Sequence, residues 1–246
     1  MVKLYHLTRN KIVFLLAAMV LMAGCAGTQH VSKQVELKSH FLGPKIVSML
    51  KEGGDDQAGL IYINSRAKWA RYNKLIVKPV TVWKDKGTQD VSPEDLQRLA
   101  NDLWSKIREE MGKDYQIVHA GGPGTMRFEG AITEAEASNA VMDTVTSLIP
   151  QTRMLTGLKG LVAGGKPGFV GAASIEMKIT DAQTGDLLAA AIDRRAGTKN
   201  LAGMTNEWGD IEDAYTYWAQ KMRWRACELR AGKRETPTCE KIKPKA

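Results

Sequence analysis

The chain changes its hydrophobic period several times, and each change marks an element. Between Ser92 and Gly112, the residues Leu96, Leu99, Leu103, Ile107 and Met111 recur three or four positions apart, the spacing that keeps one face of a helix apolar. Ser92 precedes this run, Pro93 comes directly after the serine, and Asp95 lies three residues after it. These are a cap, a first-turn proline and an acid suited to the amino end of a helix dipole, so a helix is predicted from Pro93 until Gly112 stops it. Elsewhere the period is two. Met126, Phe128 and Ile132 alternate with Arg127, Glu129 and Thr133, and Ile175, Met177 and Ile179 alternate with Glu176, Lys178 and Thr180, the pattern of strands with one dry face. The second of these runs on through Asp181–Asp186, where Gly185 is free to take a positive φ, into a further apolar run, which predicts a hairpin.

Three other stretches complete the pattern. Leu75, Ile76, Val77, Val80 and Val82 are apolar on both alternations, which suits a strand packed on two faces, with Pro79 placing it at an edge or a bulge because proline offers no ladder donor. Upstream, Leu60 to Ile63 is strand-like after a Gly-Gly-Asp-Asp turn, within an irregular cover over the core. The last helix is predicted from about Asp210 to Arg230, with Ile211, Tyr215, Trp218, Met222 and Leu229 on one side, acids at its start and arginines near its end, matching the helix dipole. Strand, helix, strand, strand, long connection, hairpin and helix together give an α+β fold, a mostly antiparallel sheet covered by helices, in a single domain over residues 40–246. Val141 to Gly171 interrupts the pattern, and two readings fit it: a helix ending before Pro150 plus a loop, or an insertion facing membrane or another subunit.

The amino terminus follows another logic. Lys3, Arg9 and Lys11 precede the apolar Ile12–Met22, about the length of a signal-peptide core and short of the roughly twenty residues a spanning helix needs. Leu21-Met22-Ala23-Gly24-Cys25 then resembles the lipobox of bacterial lipoproteins, with Met22 where leucine is commoner. The resemblance implies a signal peptide over residues 1–24, diacylglyceryl and amide-linked acyl chains such as palmitate on Cys25, and, with Ala26 rather than Asp next, sorting to the outer membrane. Several acyl chains make a stable anchor where one is marginal. Residues 25–39 are polar and read as a lipidated tether. Removal of Lys3, Arg9 and Lys11 with the signal lowers the formal net charge from +8 to +5, which does not by itself imply nucleic acid. In an oxidising periplasm Cys227 and Cys239 are predicted to form a disulfide pinning the tail to the last helix.

Candidate chemistry is sparse. Gly160 to Lys166 imitates a phosphate-binding loop, yet Pro167 stands where a magnesium-ligating hydroxyl is needed. His30, His40 and His119 are far apart and match no metal-ligand spacing, so no metal or other cofactor is expected; His119, alternating with Tyr115 and Ile117, reads as a packed strand histidine. Glu129, Glu134, Glu136 and Glu176 read as a solvated strand face rather than a general acid and base pair. On the last helix, Trp224 and Arg225 are the candidates for an exposed partner-binding face, against the plainer reading that its aromatic stripe is core and rim.

The lipobox together with "FLGPKIVSMLKEGG", "YINSRAKWARYNKLIVKPVTVW", "RFEGAITEAEASN" and "GAASIEMKITDAQTGDLLAAAIDRR" resembles a family of bacterial lipoproteins known as domain of unknown function 3313. That resemblance implies a lipid-anchored envelope protein and carries over no catalytic residue. The expected role is a non-enzymatic, outer-membrane-anchored interaction or structural module, facing the periplasm or the cell surface, with an envelope protein or polymer as partner and no nucleic acid. Two other roles are weighed against it. One is an oligomeric export or assembly lipoprotein similar to the curli secretion-channel subunit, and the other a hydrolase of envelope polymer.

Overall fold

A computed structural model describes residues 28–30, 41–54, 56–83, 88, 91–136, 171–197, 208–232 and 237–244. The predicted signal segment, Cys25, the Gly160–Pro167 loop and residues 141–170 lie outside the described residues. Among the described residues nine strands share one sheet: β1 (Thr28–His30), β2 (Lys51–Glu52), β3 (Leu60–Ile63), β4 (Lys74–Val77), β5 (Thr81–Val82), β6 (Gln116–Ile117), β7 (Thr125–Glu136), β8 (Ala172–Asp181) and β9 (Leu187–Gly197). The helices are α1 (Gly43–Val47), α2 (Pro93–Gly112), α3 (Gly209–Ala231) and α4 (Pro237–Glu240), with a 3-10 turn at Trp69–Arg71.

The strand order is β2-β3-β9-β8-β7-β4-β6. From β2 to β7 every pairing is antiparallel, while β4 and β5 run parallel to β7 and β6 runs parallel to β4. The fold is therefore α+β with a mostly antiparallel sheet. Two of the long strands are served on one side by pairs of short ones: β7 by β4 and then β5, β9 by β3 and then β1. Thr28–His30, inside the stretch read as a tether, thus covers main-chain groups of Arg195–Gly197 that lie beyond the reach of β3.

Pro79 falls in the interval between β4 and β5. The Lys78 amide donates to the Phe128 carbonyl at 3.1 Å and the Trp83 amide to the Ile132 carbonyl at 2.8 Å, so the ladder closes on either side of the missing donor. In the β8–β9 hairpin, Asp181 Oδ1 accepts from the amides of Gln183 (2.8 Å) and Thr184 (3.0 Å), and Gly185 takes φ +79°, the left-handed conformation glycine adopts without a Cβ penalty.

On one face of the sheet lie α2 and α3. Ser92 Oγ accepts the Asp95 amide at 3.1 Å to start α2, whose Leu99, Leu103, Ile107 and Met111 are wholly buried, against Leu75, Phe128, Ile132 and Ile175 in the main core. Gly232, at φ +68°, ends α3, and the Cys227–Cys239 disulfide, with the two Cα atoms 5.7 Å apart, ties α4 back to it. Arg223 of α3 binds Asp114 through Nε at 2.7 Å and approaches Glu110 at 3.7 Å, joining the carboxyl ends of the two helices. The opposite face of the sheet carries a smaller cluster, in which Leu42, Ala190 and Ile192 meet Phe41, Ile46 and Leu60.

Candidate functional site

Where α3 crosses β3 and β9 the packing is incomplete. The sheet offers it Ala189 and Ala191, small side chains that stop short of the helix, and the result is a crevice of about 110 Å³. Its walls include Ile61, Ile63, Met177, Ile179 and, from α3, Met222. Alanine is a weak strand former, so its presence at consecutive positions of β9 is not explained by sheet propensity. Trp218 closes one end, donating Nε1 to Asp193 at 2.6 Å, while Asp193 Oδ1 also accepts the Gly59 amide at 3.0 Å. Beside it, the buried Arg195 guanidinium stacks on the Tyr217 ring, 3.7 Å from its centroid. Burial pushes the Arg195 pKa down from its ordinary value, opposed by Tyr217 and Asp193.

Next to these groups the rim of the crevice carries further charge. Asp56 sits on the turn between β2 and β3, and its carboxylate meets both Lys221 and Lys243 at 3.3 Å while its carbonyl accepts Arg225 Nη2 at 2.6 Å. Burial alone would raise the Asp56 pKa, but hydrogen bonds and charge from Lys243 and Lys221 overcome it and hold the group below the usual carboxylate value. Lys221, Arg225 and Lys243 also surround Trp224, at 4.4, 4.2 and 4.9 Å from the ring.

That arrangement corrects one expectation. Trp224 is 1% exposed, not a surface residue, because Lys221, Arg225 and Lys243, tied to Asp56, fold over the helix face that periodicity left to solvent. Arg225 is half-buried and engaged with Glu228 at 2.7 Å as well as with Asp56. The aromatic stripe of α3 is core and rim, with Tyr215 and Trp218 buried and stacked at 5.9 Å between ring centroids.

Two further expectations change. His119 is exposed, just past the end of β6, rather than packed in a strand, since β6 stops at Ile117. Glu176 is buried instead of solvated and accepts the amides of Phe41 and Leu42 at 3.2 and 3.1 Å. Its neighbour on the same face, Glu134, makes a bidentate pair with Arg194 at 2.6 Å and takes Ser174 Oγ at 2.5 Å. At the hairpin turn, Asp181 is bound by Arg71 and, at 2.9 Å, by the buried Tyr72 hydroxyl. Burial would raise the Asp181 pKa, but the Thr184 and Gln183 amides with Tyr72 and Arg71 lower it overall. Among the described residues no group of three metal-ligating side chains comes together, and no helix is long and apolar enough to cross a membrane.

Comparison with solved structures gives faint likenesses. The PelC dodecamer from Paraburkholderia phytofirmans is 12% identical over 66% of this chain and 95% of that one, with a TM-score of 0.38. A DUF4136 family protein from Bacteroides thetaiotaomicron is 9% identical over 66% and 94%, at 0.35, and the protein CT253 from Chlamydia trachomatis is 9% identical over 65% and 97%, at 0.32. Likeness at that level transfers no activity. No curated protein matches the chain. Residues 37–222 match the family described as protein of unknown function (DUF3313), and the chain belongs to that family.

Proposed function

We propose that the chain is a non-enzymatic binding module of the bacterial envelope, anchored at the outer membrane through acylated Cys25 and offering its α+β body to another envelope component. The observation that carries this reading is how the body uses its polar groups. Glu134, Glu176, Asp181 and Asp193, acids placed well enough to be considered for proton transfer, are each engaged with an arginine, a backbone amide or an indole. Each of these contacts ties one part of the fold to another, a structural use of the carboxylate. The space that packing leaves open is instead apolar and bordered by charge, the composition of a binding site.

The anchor rests on the basic Lys3, Arg9 and Lys11, the apolar run and the Leu21–Cys25 motif. Mass spectrometry of the amino-terminal peptide should find Cys25 at the start of the mature chain with diacylglyceryl and amide-linked acyl groups. In fractionated cells the wild-type chain should sediment with the outer membrane and Cys25→Ser should not. An unmodified mature start, or normal localisation of Cys25→Ser, would overturn the reading.

A further inference from the structure

We propose that the crevice under α3 binds one acyl chain that carries an anionic head group. This deepens the reading of the body as a binding module and does not depend on Cys25 being acylated.

Three observations converge on that ligand class. The first is size: about 110 Å³ is comparable with engineered apolar cavities of roughly 150 Å³ that admit benzene, enough for part of a single chain and too little for two side by side. The second is the lining. Ile61, Ile63, Ile179 and Ala191 form one wall and Met222 part of the other, with Met177 beneath. A sugar or peptide would lose hydrogen bonds there without replacement, whereas unbranched, polarizable methionines conform to a flexible hydrocarbon. The third is the mouth. Lys221 and Arg225 stand at the lip with Lys243 beside them; Lys221 and Lys243 face the Asp56 carboxylate, while Arg225 holds the Asp56 carbonyl and pairs with Glu228. Asp56 is 55% exposed and sits on a turn bounded by Gly54 and Gly59. A ligand carboxylate or phosphate can share or replace it at Lys221 and Lys243, so the head group lies at the cations and the chain runs inward between β9 and α3.

The test uses the full chain in nanodiscs of zwitterionic lipid and a twelve-carbon fatty acid bearing a diazirine. On irradiation the label is expected on peptides from β8, β9 and α3. Dodecanoate and lauroyl lysophosphatidate should both compete, and their relative strength tells a carboxylate source from a phosphate one. Dodecanol should compete at least tenfold more weakly. Ala191→Leu, which fills the crevice, should cut labelling about tenfold. The pair Lys221→Ala and Lys243→Ala should weaken dodecanoate about tenfold and leave dodecanol unchanged. Circular dichroism melts establish that each variant folds, and Ala226→Leu replaces Ala191→Leu should the latter not fold. Labelling unchanged by either filling variant, or dodecanol competing as well as dodecanoate, would overturn the proposal. In that event acylated Cys25 and outer-membrane sedimentation would still leave the module reading standing.

Discussion

The two long helices lie on the same face of the same sheet and meet it differently. Under α2 the strands present Leu75, Phe128 and Ile132, and the helix answers with Leu99, Leu103 and Ile107, none of which retains exposed surface. Under α3 the sheet presents Ala189 and Ala191, and a crevice remains. Both helices are of similar length, at 20 and 23 residues. The difference is the volume of the strand residues opposite: interiors pack to crystal-like density where side chains interdigitate, and alanine cannot reach. In its second half α3 is further held by polar and covalent ties, through Arg223, Lys221 to Asp56, and the disulfide.

The largest effect should come from removing volume where none is spare. Leu103→Ala is expected to cost about 3 to 4 kcal/mol by urea unfolding, because transfer and cavity terms add; Met222→Ala, already beside open space, should cost roughly 1 kcal/mol. Equal losses would erase the contrast between the two helices. Next, reducing Cys227–Cys239 should cost about 3 kcal/mol in the chain-entropy account and raise hydrogen exchange in the second half of α3 more than in α2. Uniform exchange along both helices would show that the bridge does not position α3.

Asp181→Asn should cost on the order of 2 kcal/mol at neutral pH, since a charge-assisted contact to Tyr72 and Arg71 is weakened. The folded Asp181 pKa lies below its ordinary value, so its stabilisation is complete above the unfolded carboxylate range of about 4 and is lost as pH falls through the lower folded value. Acid titration of stability should be steeper for wild type than for the variant, and parallel curves would remove Asp181 from the account. The smallest effect is expected from Ala191→Leu, within about 0.5 kcal/mol of wild type, where the same enlargement in a filled core would cost roughly 1–3 kcal/mol.

What could be read in the sequence was local. The Ser92 cap, the α2 face and the β8–β9 hairpin depend on residues within a few positions of one another, and the structure has them where the pattern placed them. Pro79 was legible as a disruption, and it takes the form of a break between β4 and β5. What escaped depends on distant chain. Glu176 looks solvated until Phe41 and Leu42, more than 130 positions away, bring their amides to it. Trp224 looks exposed until Lys221, Arg225 and Lys243 fold over it, tied to Asp56, 169 residues before Arg225. The crevice itself had one faint trace, the alanine run at 189–191, and it becomes a cavity only because α3 rather than another strand lies opposite.

The strands at the two ends of the order, β2 and β6, are two residues each. At the edge of a sheet, a long bare strand would template sheet continuation from one molecule to the next. Two residues give such a neighbour almost no ladder to extend. Crowding can therefore bring these molecules together through faces or helices without driving them into a shared fibre.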